Sequence, residues 1–170
     1  MNQGLSLSDI SIEKQDARKS IMDFEEKILT MENSFVGDNE ICPVNHTFSD
    51  GVYVREMFIP AGTFISGKIH KFEHPSFIMS GEIDVATEFG SERIKGPTVI
   101  VSPAGVKRIG YAVTDVIWAT VHLNPTNTQD MDKLEADVIS VSFESYDKFK
   151  KAQSRKVVTL WNKIIKKLIL

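Results

Sequence analysis

Between Gly51 and Leu123 apolar and polar residues alternate at period two, and turn formers cut the pattern every few residues. Val52, Val54, Glu56 and Phe58 alternate with Tyr53, Arg55, Met57 and Ile59, and Pro60-Ala-Gly62 supplies a turn. Side chains two apart in an extended chain share a face, so each run reads as a half-buried strand. Further strands are expected at Phe64–His70, Ser76–Ser80, Ile83–Phe89, Glu92–Lys95, Thr98–Val101, Lys107–Val113 and Val116–Leu123. Gly81-Glu82, Gly90-Ser91, Gly96-Pro97, Pro103-Ala-Gly105 and Thr114-Asp115 separate them. So many short strands at close spacing restrict the chain to a β-sandwich or barrel.

The flanks change period. Ile21, Phe24, Ile28 and Leu29 form one apolar stripe, predicting a helix over 13–32 that stops near Asn33 and Gly37 and packs on the domain or on a partner subunit. Residues 1–12 are polar and Ser-rich and read as a flexible N-terminus. Beyond a barrel over 45–125, residues 128–170 read as a helical extension. Within it, helices are expected at Asp130–Ala136 and Tyr146–Ala152, with a β-prone run Val138–Phe143 between them. A last amphipathic helix, Lys156–Leu170, places Val157, Leu160, Trp161, Ile164, Ile165 and Leu168 opposite Lys163, Lys166 and Lys167. Such a stripe suits docking on the barrel or across an oligomer interface better than a membrane surface.

At 170 residues the chain is expected to form one domain with a real core. Its formal charge of −3 argues against DNA binding, which needs a broad basic surface. No apolar run reaches the roughly 18 residues of a membrane span. Cys42 is the lone cysteine, so neither an internal disulfide nor a cysteine metal cluster can form. A reducing cytoplasm is the expected location.

Chemistry concentrates in Gly67-Lys-Ile-His-Lys-Phe-Glu-His-Pro-Ser-Phe-Ile-Met-Ser-Gly81, in Pro103-Ala-Gly-Val-Lys-Arg108, and in Val116–Leu123, which carries His122. These segments, with Ile59-Pro-Ala-Gly62 and Ser102-Pro-Ala-Gly105, resemble the two motifs of the cupins, small barrels of the double-stranded β-helix type. The wording around His70, His74, Arg108 and His122 is also similar to that of phage cupin-like proteins, over roughly residues 45–140. The resemblance implies a mainly β, jelly-roll-type barrel with N- and C-terminal α-helices, assembled as a homodimer or higher oligomer.

Aligned on that pattern, the four customary metal-ligand places fall on Lys68, His70, His74 and Arg108. Two are imidazoles; two are cations, which offer no lone pair to a metal at neutral pH. Two chemistries follow. If Lys68, His70, His74, Lys107, Arg108 and His122 converge, with Tyr111 or Trp118 to stack on a base, the pocket suits a nucleotide-like or phosphorylated anion. In that reading protonated histidines add donors, and no cofactor or catalytic residue is needed. Given the phage resemblance, such a protein would act as a counter-defence sponge for a host cyclic nucleotide, in the cytoplasm of an infected cell. Alternatively His70, His74 and His122, with Glu73 as a further donor, hold zinc, iron or manganese in an isomerase- or dioxygenase-type enzyme. A third reading is a phage structural or scaffold protein whose barrel is only a folding core. Phe77 and Met79 are expected to face the barrel core.

Overall fold

The computed structural model describes residues 7–168 apart from Asn33 and Val36. The expectations for residues 1–6, and for the side chains of Trp161 to Leu168, lie outside the described residues. Helix α1 (Leu7–Leu29) starts earlier than its apolar stripe predicts. Eight strands of the barrel follow: β1 (Val44–Ser49), β2 (Gly51–Ile59), β3 (Phe64–Ser66), β4 (Ile69–His70), β5 (His74–Ser80), β6 (Glu82–Thr87), β7 (Gly90–Lys95) and β8 (Thr98–Ser102). The chain continues through β9 (Ile109–Ala112), β10 (Val116–Asn124), α2 (Met131–Val138), β11 (Ile139–Ser140) and α3 (Phe143–Leu168).

Two antiparallel sheets face each other. One has the order β1-β2-β10-β5-β8 and the other β3-β9-β6-β7, while β4 pairs separately with β11. Period-two alternation sets what lies between the sheets. Ile59, Ile78, Ile83, Val85, Ile94, Ala112, Val116 and Trp118 form one buried cluster. On β5 the same parity turns His74, Ser76 and Ile78 inward. Phe77 and Met79 must then point outward, where they are 37% and 51% exposed; they are not core residues, contrary to expectation. Val99, opposite Phe77 on β8, is likewise exposed, so the outer face of the five-stranded sheet carries an apolar patch.

Two other features depart from the sequence reading. Strand β1 was not anticipated, because only Val44 and Phe48 in it are apolar; it lies at a sheet edge with a mostly exposed face. The tail carries one continuous helix, α3, where two were expected, since Gln153-Ser-Arg155 contains no Gly or Pro to break it.

Helix α1 lies on this domain. Its Phe24 packs edge-on against Phe64 of β3 at 5.5 Å. Arg18 reaches the buried Glu88 carboxylate at 3.2 Å, with Lys14 at 3.9 Å, and its guanidinium also lies 4.2 Å from the Phe143 ring. Lys68 pairs with Glu135 of α2, and Lys71 donates to the Ala136 carbonyl. Helix α2 is started by Asp130, whose side chain accepts from the Lys133 amide, and is anchored by buried Leu134.

Candidate metal and ligand site

Strands β5 and β10 place His74 and His122 on the same inner face. Thr120 pairs with Ser76, and in this antiparallel ladder His122, two residues after Thr120, comes beside His74, two residues before Ser76. His122 also faces Tyr53 of β2 across the ladder. His70 arrives from β4, whose partner is Ile139 of β11; its carbonyl accepts from the Gly105 amide at 2.8 Å. Nitrogens of the three imidazoles lie within 4.8 Å of one another. Ring centroids are 4.2 Å apart for His70–His74, 4.6 Å for His74–His122 and 4.9 Å for His70–His122.

Burial is the main influence on their protonation. Desolvation, followed by the neighbouring imidazoles and the charges of Arg108 and Arg55, pushes the His70 pKa down to about 2. Desolvation, then His74 and Arg55, pushes His122 to about 4. His74 is lowered by desolvation and by Arg108, against the opposing pull of its contact with the Phe72 carbonyl. At neutral pH all three rings are therefore uncharged and carry a free lone pair. This reverses the expectation that protonated histidines would add donors to the pocket.

The donor set fits a transition metal. His74 Nδ1 lies 3.2 Å from the Phe72 carbonyl, so its proton belongs there and Nε2 is left as the ligand atom. His70 Nδ1 is buried without a hydrogen-bond partner, a cost that a metal would remove. Metal–nitrogen bonds of about 2.0–2.1 Å place two ligand nitrogens at most about 4.2 Å apart.

The remaining candidates are dispersed. Glu73 is exposed and outside the cluster. Lys68 is exposed and turned to Glu135. Lys107 is buried, but it donates to the Gly67 carbonyl at 3.0 Å and pairs with Glu25 of α1 at 2.7 Å. Tyr111 stands on the outer face of the four-stranded sheet, 4.7 Å from the Phe64 ring, because Ala112 beside it takes the inward parity. Trp118 is part of the core, with Nε1 buried and unpartnered. Arg108 is half-buried, and its charge bears on both His70 and His74.

Arg55, Tyr53 and His46 were not anticipated. Arg55 shares the inner face of β2 with Tyr53, and its charge bears on His70 and His122. The Tyr53 ring stacks on His122 at 6.1 Å, and its hydroxyl lies 2.7 Å from His46 Nδ1. The parity of β2 could have identified the first two, since Tyr53, Arg55, Met57 and Ile59 alternate with the outward set.

No protein-family model matches the chain, and no curated protein matches it in sequence. Solved structures similar to it include an RmlC-like cupin with a double-stranded β-helix fold from Methanocaldococcus jannaschii, at 15% identity over 58% of this chain and 94% of that one, TM-score 0.43. The Cnp3 cupin domain of Schizosaccharomyces pombe is 14% identical over 57% of this chain and 75% of that one, TM-score 0.44. A cupin superfamily protein from Desulfitobacterium hafniense is 14% identical over 53% and 83% respectively, TM-score 0.41. These are likenesses of fold. The architecture is mainly β, two facing antiparallel sheets with a helix at each end.

Proposed function

We propose that the barrel holds one divalent transition metal on His70, His74 and His122 and presents it to a small ligand. The observation that carries this is three neutral imidazoles, two buried and one half-buried, with nitrogens within 4.8 Å of one another. Zinc would supply a Lewis acid there, and iron or manganese would add redox chemistry. The chain's own contribution is orientation and a dry wall. Phe72 fixes the His74 tautomer, Tyr53 supports the His122 ring, and β11 holds the strand of His70. Arg55 and Arg108 give the surroundings a positive potential that favours an anionic ligand. The test is metal analysis of untagged protein after loading. About one equivalent per chain is expected, falling sharply in His74→Ala and His122→Ala variants that retain the fold. Loaded wild-type protein with less than about a tenth of an equivalent would refute the reading.

Arg108 favours a second reading, because no ion pair or hydrogen bond of its guanidinium occurs among the described residues. In that reading the pocket takes a nucleotide-like or phosphorylated anion without metal, as a sponge in the cytoplasm of a phage-infected cell. The phage element stands on sequence resemblance alone. A cyclic nucleotide bound by chelated protein and lost in Arg108→Ala is its specific requirement. Either reading includes a homo-oligomer, for which the apolar outer patch at Phe77, Met79 and Val99 is the proposed contact.

A further inference from the structure

Between the edges of the two sheets, where β7 and β8 do not pair, a cleft of about 410 Å³ opens beside the barrel interior. Its volume is that of a small-molecule site. Val85, Ile94, Ile100 and Val106 form apolar walls, the 68%-exposed Phe89 stands at the rim, and Arg108 contributes the guanidinium. The charges of Glu88 and Glu92 bear on Arg108, but neither carboxylate is paired with it among the described residues. Glu88 is taken by Arg18 and Lys14 of α1, and Glu92, also in the lining, makes no ion pair with it. A half-buried guanidinium with no ion pair or hydrogen bond among the described residues leaves donors beside an apolar wall that a bound anion would satisfy.

The geometry points to this cleft as a binding site for a small amphipathic monocarboxylate, its carboxylate on Arg108 and its hydrocarbon body against Val85, Ile94 and Ile100. A planar guanidinium fork matches a carboxylate through two parallel hydrogen bonds. One arginine, with the Glu92 carboxylate in the same lining, disfavours the double charge of a phosphate monoester, and the apolar walls disfavour a sugar. None of the three histidines lines the cleft, although the charge of Arg108 reaches His70 and His74. The inference thus rests on the ligand-binding part of the reading above and not on the metal.

Octanoate and octanamide, equal in length and differing in charge, test it by calorimetric titration of full-length protein treated with EDTA. Octanoate should bind at least about tenfold more tightly than octanamide. Arg108→Gln should erase that preference, Arg108→Lys should keep part of it, and Phe89→Ala should weaken both compounds, with thermal unfolding confirming that each variant folds. Equal binding of acid and amide, unchanged octanoate affinity in Arg108→Gln, or no octanoate binding at millimolar concentration would each overturn the proposal. Displacement of octanoate by inorganic phosphate at lower concentration would also overturn it, in favour of a phosphorylated ligand. Metal content of a separate portion of the same protein, loaded with zinc after the EDTA is removed, reads the histidine site independently: octanoate failing while metal binds removes the cleft alone, and the converse removes the metal alone.

Discussion

The rings of His70 and His122 lie 4.9 Å apart and within 6° of parallel, one from a two-residue strand and the other from the nine-residue β10. Two cations could not be held in this stack away from water, so the arrangement is one of neutral rings. In metal-free protein both folded-state pKa values lie below the ordinary 6.5, at about 2 and about 4. The unfolded chain therefore binds protons first as the pH falls. Stability is full above about pH 6.5 and declines toward pH 4 and below, by up to about 1.4 kcal/mol per pH unit for each ring. Urea unfolding of chelated protein from pH 8 to pH 4 measures this, and replacing His122 by Gln should flatten the slope.

Metal should stabilise the fold by mass action. At a free concentration about a hundred times the dissociation constant the gain is about 2.7 kcal/mol. A rise in melting temperature with zinc or manganese, reversed by EDTA and absent in His74→Ala, is the expected result.

Glu88 is the acid on which α1 depends. Its side chain is 1% exposed, and the Arg18 guanidinium lies 3.2 Å away. Arg18→Ala would leave a buried carboxylate short of its main partner, at a cost of about 3 kcal/mol. The variant should lower the urea midpoint far more than Lys19→Ala, which removes an exposed pair with Asp23. Adding Glu88→Gln to Arg18→Ala should recover part of the loss.

Gly105 has φ +79°, and a Cβ built on it would lie 2.1 Å from Cε1 of Tyr146. Gly105→Ala should therefore cost about 2–4 kcal/mol, from left-handed strain and overpacking together. Thermal unfolding would show it. Combining it with Tyr146→Ala should relieve only the packing share, since the backbone strain remains.

The outer patch makes a separate prediction about assembly. Phe77→Asp or Val99→Asp should convert a dimer to a folded monomer, read by light scattering and circular dichroism. An unchanged mass would move the contact elsewhere.

Much of the barrel was legible because period-two alternation is a direct record of two faces. It identified the runs of β2 to β10, with β3 and β4 read as one strand, and placed His122 in a run that does meet β5, though the run read for β5 began at Ser76, just after His74. It failed where alternation is weak or broken. β1 has too few apolar residues to register. Gly67 and Gly105 interrupt the parity just before Lys68 and Arg108, so no count along the strands could show that Lys68 turns to Glu135 while Arg108 turns to the cleft. Phe77 and Met79 show the converse: their parity relative to His74 was readable, but apolarity suggested the core. The acidic helix face that takes Lys107 through Glu25 is a long-range contact that no local pattern encodes.

The strand holding His70 is completed by Ile139, from a tail that follows the last barrel strand. Protein synthesis runs from the N-terminus, so β5 and β10 can pair on the ribosome while β4 still lacks its partner. For that interval the nascent barrel owns two positioned imidazoles and a third that is loosely tethered. On the proposed metal reading, capture follows release of the tail, and a chain ending before residue 139 is expected to fold its sheets and bind an ion less tightly than the full chain.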